Sequence, residues 1–190
     1  MLMDKNTIRK NLKNRRNELT PVEIKKNSSA ILEHFTSTLY PLLYKKGAFV
    51  VYLSTQSEVM TGGLIRFLHK QNRRIYAPCV RDGCISLSRL AKSCRLVKGA
   101  FGISEPPAGH TGIRSFKDIS AVIVPGIAFD MKGNRIGFGR GYFDKFLKKL
   151  PACAKKIALA FSCQIIRSAP AKHHDVKMDY IITEKGVYEV

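Results

Sequence analysis

The chain has 190 residues, 45% of them hydrophobic, with 33 lysines and arginines against 14 aspartates and glutamates, for a formal net charge of +19. This length suits one domain, and the composition excludes disordered and collagen-like chains. The longest apolar stretch, residues 121–129, contains Pro125 and Gly126 and falls far short of the about 20 residues that a membrane-spanning helix needs.

The charge excess points to an anionic partner and leaves nucleic acid, membrane, nucleotide and acidic metabolite open. The N-terminal segment is charged throughout and lacks the apolar core of a signal peptide. Five cysteines form no C-x-x-C pair and match no zinc spacing. Cys79, Cys153 and Cys163 sit among apolar residues and read as buried thiols, which suits a reducing cytoplasm.

In chain order, Ile8, Leu12 and Leu19 share one face of a helix expected near 4–18, with lysines and arginines opposite. Thr20-Pro21-Val22-Glu23 reads as a capping box with proline in the first turn, opening a second helix to about residue 38. Residues 48–53 are continuously apolar and β-branched or aromatic, as in a strand buried on both faces of a parallel sheet. A short helix near 62–71 follows, then a strand at 74–78. The alternating stretch 85–90 reads as an edge strand or hairpin arm. Residues 99–118 hold four glycines and two prolines and predict a long loop. Strands are expected at 121–124 and 157–161, a helix including 145–150, and a last strand at 180–183. Helices alternating with buried strands predict a single α/β domain over 1–190, a three-layer sandwich with a mainly parallel central sheet flanked by helices.

The chemistry concentrates in VPGIAFDMKGNRIGFGRGYFDKFLKKL, residues 124–150. A strand ends at Val124, and a loop with glycines at 133, 137, 139 and 141 leads into a helix. Glycines there allow positive φ and close backbone approach, so successive N–H groups can form an anion nest at a helix start. Arg135 and Arg140 supply cations suited to phosphate oxygens, and Asp144 a carboxylate suited to magnesium. The pattern is neither a Walker A loop nor a Rossmann fingerprint. A tight strand-to-helix turn is the plainer alternative, and a first-turn acid favoured by the helix dipole is the plainer reading of Asp144. Glu58 lies past a strand's carboxyl end, where α/β proteins place ligands, or is a solvated loop acid. His173-His174-Asp175 offers metal or acid–base groups, or a polar turn. Lys5 and Arg9 share a helix face, which is commonly just solvated.

PGIAFD at 125–130, GNRIG at 133–137 and GRGYFD at 139–144 resemble the signature of the 5-formyltetrahydrofolate cyclo-ligase, or methenyltetrahydrofolate synthetase, family. Lys5 and Arg9, Tyr52-Leu53-Ser54, Glu58-Val59 with Thr61, Gly102-Ile103 with Glu105-Pro106, Gln164 and His174-Asp175 fall in the family's order, so the resemblance spans nearly the whole chain. It implies the architecture of ribose-phosphate isomerases and CoA transferases. It also implies a reaction in which ATP and Mg2+ convert 5-formyltetrahydrofolate to 5,10-methenyltetrahydrofolate, releasing ADP and phosphate. Under it, Lys5, Arg9 and Arg135, Ile136, Gly137, Phe138, Gly139, Arg140, Gly141, Tyr142 and Phe143 contact ATP. Arg135 and Arg140 stabilise the transferred phosphoryl group. Leu53, Glu58, Phe101 and Tyr142 contact folate, and Asp144 and Asp175 hold magnesium. Phe143 departs from the tyrosine of many members, Arg140 from glycine or lysine, and Phe138 from tyrosine or arginine.

The partners implied are therefore ATP and a folate with a mono- or polyglutamate tail, the tail drawing on cations of residues 66–98 such as Arg73 and Arg74; no nucleic acid or membrane is required. Three basic blocks, 1–26, 66–98 and 131–156, hold 25 of the 33 cations. They leave a nucleic-acid module as the competing class, although no nucleic-acid motif is present. A sugar-phosphate isomerase-like or CoA transferase-like enzyme is the third, since fold alone does not separate them.

Overall fold

A computed structural model describes residues 4–43, 47–55, 57–98, 104–107, 113, 115–171 and 175–190. Asp4 caps α1 (Lys5–Asn17), its carboxylate accepting from the amides of Asn6 and Thr7 at 2.7 and 3.3 Å. The expected capping box opens α2 (Pro21–His34): Glu23 N donates to Thr20 Oγ1, and Thr20 N to Glu23 Oε2. A π-helical turn, Phe35–Leu39, and a 3-10 turn, Tyr40–Leu42, complete the second predicted helix.

The elements that follow are β1 (Ala48–Val50), α3 (Gly62–Lys70), β2 (Arg74–Arg81), β3 (Cys84–Arg89), β4 (Val97–Lys98), β5 (Ser104–Glu105) and β6 (Ile119–Val124). The chain continues through β7 (Ala128–Asp130), β8 (Arg135–Ile136), α4 (Tyr142–Leu147), β9 (Lys155–Leu159), β10 (Ile165–Ile166), β11 (Tyr180–Thr183) and β12 (Gly186–Glu189). The main sheet has the order β12-β11-β9-β6-β1-β2-β3. Its five inner strands run parallel, and β12 and β3 pair antiparallel at the two edges.

Alternation along the inner strands divides the core. Phe49 joins Ile31, Phe35, Leu64 and Leu68 beneath α2 and α3, whereas Val50 joins Val122, Phe146 and Leu147 beneath α4 on the opposite face. The result is the predicted three-layer α/β sandwich.

Four expectations need correction. The stretch 180–183 is not the last strand: β12 follows, turning back on Gly186, whose φ of +151° suits glycine. The α-helix containing Asp144 ends at Leu147, three residues before the predicted end. The glycine-rich segment after Val124 is not one loop. It first forms the β7–β8 hairpin, which joins β10 in a separate three-stranded sheet. Cys153 is exposed and Cys163 only partly buried; Cys79 alone of the three is fully inside. Flanking apolar residues did not reveal these positions because Cys153 lies in a turn before β9 and Cys163 in a short 3-10 turn after it.

Candidate active site

The strand order reverses direction at β1: the chain runs outward from β1 to β2, then returns to β6 on the other side and continues to β9. Such a switch point opens a crevice at the carboxyl ends of the strands. A cavity of about 530 Å³ lies there, edged by Tyr52 and Leu53 after β1 and by Pro125 after β6.

The β7–β8 hairpin builds one wall. Its turn is organised by Asp130, fully buried, which accepts from Lys132 N and Asn134 N (both 3.0 Å), Asn134 Nδ2 (2.9 Å) and Ala169 N (2.8 Å). Burial pushes this carboxyl up, but the four donors together outweigh it, and the group lies below the ordinary aspartate value. Gln164, also buried, donates to Gly126 O and Ile127 O and so fixes the entry to the hairpin. α1 packs on this hairpin through Ile8 and Leu12 against Ile127, Ala128 and Ile136.

That packing brings the helix cations to the loop. Arg9 Nε donates to Gly137 O at 2.9 Å, and Lys5 Nζ pairs with Asp175 Oδ2 at 2.8 Å. Arg135 reaches back under the loop. Its Nη2 meets Asp144 Oδ1 at 2.5 Å, its Nη1 donates to Pro125 O at 3.2 Å, and its Nε is buried without a partner. Burial pushes the Arg135 guanidinium down from its ordinary value, and Asp144 beside it opposes that, so the group stays cationic. Gly139 and Gly141 adopt φ of +100° and +69°, conformations that strain other residues. Gly141 then precedes α4, whose first turn carries Asp144.

The opposite wall is mostly apolar. Pro78 and Val80 of β2 lie on the same face as Ile85, which stands opposite Val80 in the hairpin register. Two carboxylates enter it. Glu105 lines it from β5, and Glu58, 8% exposed, accepts from Thr55 N at 2.9 Å. Tyr52 donates its hydroxyl to Val59 O; burial, and secondarily Glu58, push its phenol well above the ordinary value, so it stays neutral.

The cavity therefore gathers Lys5, Arg9, Leu53, Glu58, all nine residues from Arg135 to Phe143, Asp144 and Asp175. Phe101, His173 and His174 lie outside the described residues. Arg73 and Arg74 stand apart from the cavity. Arg73 stacks at 4.7 Å on Phe49 and donates to Gly47 O, and Arg74 lies 3.8 Å from Asp118. Sequence reasoning missed the wall made by Pro78, Val80 and Ile85, and the organising role of Asp130. The turn chemistry of Asp130-x-Lys132-Gly133-Asn134 is the signal that carries the latter.

Fold and site together define an α/β enzyme with a cationic, glycine-lined cleft at the switch point of its sheet. The family model described as 5-formyltetrahydrofolate cyclo-ligase matches residues 2–184, and the chain belongs to that family. Among its relatives, the Haemophilus influenzae 5-formyltetrahydrofolate cyclo-ligase is 26% identical over 175 residues, covering 90% of this chain and 92% of that protein. The Mus musculus 5-formyltetrahydrofolate cyclo-ligase is 30% identical over 148 residues, covering 70% and 71%. The solution structure of Aquifex aeolicus 5,10-methenyltetrahydrofolate synthetase is 31% identical and superposes with a TM-score of 0.85 over 98% of this chain and 93% of that one. A Mycoplasma pneumoniae 5,10-methenyltetrahydrofolate synthetase, at 24% identity and a TM-score of 0.77 over 96% and 99%, shares the fold.

Proposed function

We propose that the chain acts as one α/β unit that converts 5-formyltetrahydrofolate and ATP to 5,10-methenyltetrahydrofolate, ADP and phosphate. The observation that carries this reading is the division of one cavity into a cationic wall of Lys5, Arg9, Arg135 and Arg140 and an apolar wall bearing Glu58. A polyphosphate suits the first, and a flat ring with N–H donors suits the second.

The formyl oxygen is a poor leaving group. Attack of that oxygen on the γ-phosphorus expels ADP and leaves a phosphorylated formyl group. The neighbouring folate nitrogen then adds to the activated carbon and loses its proton, and phosphate departs as the ring closes. Little covalent chemistry falls to the protein; its work is alignment and charge stabilisation. Arg9, Arg140 and the backbone amides of the loop hold the phosphates. Arg135 meets charge that develops on the transferred group, and Glu58 and Leu53 hold the folate ring.

Asp144 and Asp175 share the cavity, and the described residues form no cluster of three or more metal-ligating side chains. Two carboxylates fit a magnesium ion that is bound mainly through phosphate oxygens and water. Bound there, the ion would neutralise phosphate charge. Lys5 pairs with Asp175 and Arg135 with Asp144, so each of the two carboxylates already has a cation beside it.

The test is absorbance of the methenyl product from purified protein with 5-formyltetrahydrofolate, ATP and Mg2+. Turnover that requires all three is expected, and its absence in folded protein overturns the reading. Asp144→Asn keeps an acceptor for Arg135 and should lower kcat by roughly a hundredfold or more, the scale of losing one electrostatic group. Near-normal turnover would remove Asp144 from the mechanism.

A further inference from the structure

Arg16 occupies the same side of α1 as Lys5 and Arg9, two turns beyond Arg9. It is 3% exposed, deeper than any other basic residue described. Its Nε is buried without a hydrogen-bond partner, and its guanidinium enters none of the ion pairs among the described residues. Its guanidinium carbon lies 6.0 Å from the centroid of the Phe138 ring, and its charge also acts on Tyr52 and Cys163. Phe138 is itself 51% exposed and lines the cavity. A buried guanidinium without an anion is costly, and an aromatic face compensates only part of that cost. A buried cation with an unpartnered Nε beside a cavity-lining ring points to a role beyond packing.

We propose that Arg16 is a positioning residue for base recognition: from behind, it holds Phe138 against the cavity wall so that the ring's remaining surface stacks on the purine of the nucleotide. The cation draws π density to one side of the ring, and the side left to the cavity becomes a better partner for an electron-rich heterocycle. The purine, rather than the folate ring, is assigned because Phe138 belongs to the phosphate-holding loop. It stands between Gly137, which accepts from Arg9, and Gly139, while Glu58, Val80 and Ile85 form the other wall. The inference rests on the ATP reading above.

Calorimetric titration of the full chain, in excess Mg2+, with ADP, inorganic tripolyphosphate and 5-formyltetrahydrofolate tests it. Arg16→Met keeps the buried stem and removes the charge. It should weaken ADP roughly three- to tenfold, leave tripolyphosphate and folate within about twofold, and leave the ligand-free melting temperature undiminished. Phe138→Leu should cause a similar ADP loss, and the double variant no more than Phe138→Leu alone. Arg16→Lys, which retains charge without the planar stack, should fall between wild type and Arg16→Met, and it serves if Arg16→Met does not fold. Equal loss of tripolyphosphate would make Arg16 a long-range charge. Loss of folate instead would give the platform to the other ring, and a lowered melting temperature with unchanged affinity would make it packing alone. Each of these overturns the proposal. Wild-type protein that binds no ADP overturns the ATP reading together with it, whereas wild-type binding that Arg16→Met leaves unaltered overturns the proposal alone.

Discussion

A methyl group added at Gly137 would lie 2.6 Å from Arg135 Nη1, with the guanidinium carbon at 3.3 Å. Arg135 has nowhere to go, because Asp144 and Pro125 O hold it and its Nε is already buried. Gly137 itself does not adopt positive φ, so Gly137→Ala tests space rather than backbone strain. We expect kcat/KM for the ring-closing reaction to fall on the order of a hundredfold, the effect of displacing an aligned group by about 1 Å. Steady-state kinetics beside a thermal melt would check it, since the melt should move far less than the kinetics. At this scale much of the site was legible. Gly139, Gly141 and Arg135, singled out by residue type, all line the cavity, and the two glycines adopt positive φ. Arg16 was not legible: a surface-type residue in a basic helix gives no sign of burial until the helix has a partner.

The β7–β8 hairpin shows why element-level reading failed in part. Two two- or three-residue strands cannot produce a detectable alternation, so the segment reads as loop. Its order comes instead from one carboxylate with four N–H donors, spanning the turn and Ala169. The inner strands and α1 to α3, by contrast, were evident because burial on both faces leaves a continuous apolar run, and burial of one helical stripe leaves a repeating one. Asp130 makes the hairpin's stability depend on acidity. Its folded value is depressed, so its contribution is present above the ordinary aspartate value of about 3.9 and is lost as pH falls through the lower folded value. Asp130→Asn should cost about 2–3 kcal/mol at neutral pH. The gap from wild type should narrow as the medium is acidified below about pH 4, and urea unfolding at several pH values would reveal it. A gap that stays constant with pH would show that the carboxylate's charge is not what the donors recognise.

Over the whole molecule, the +19 charge divides into a few groups tied to the cleft or the sheet and many with no assigned role. Lys5, Arg9, Arg135 and Arg140 face one cleft, while Arg73 and Arg74 serve the sheet and its flanking turns. The unplaced remainder still contributes a long-range field that draws anions toward the protein. Association of ATP, followed by stopped flow, should therefore slow severalfold between about 0.05 and 0.5 M salt as the Debye length shrinks, while the dissociation rate changes little. A salt effect confined to dissociation would assign the field no steering role. Net charge was the plainest feature of the sequence and the least informative about function, because it specifies attraction without specifying where. Position was supplied by topology: the reversal of strand order at β1 brings both walls of the cleft to one place.

The ion pair of Lys5 with Asp175 joins residues 170 positions apart. During synthesis the first helix leaves the ribosome long before its counterpart has been translated. The cleft thus cannot be assembled in stages, as a site carried by one contiguous segment could be. Until Asp175 emerges, Lys5 lacks that counter-ion and the cavity lacks one of its lining carboxylates. A nascent or prematurely terminated chain that stops before Asp175 would hold five of the seven strands of the main sheet yet lack a complete cleft.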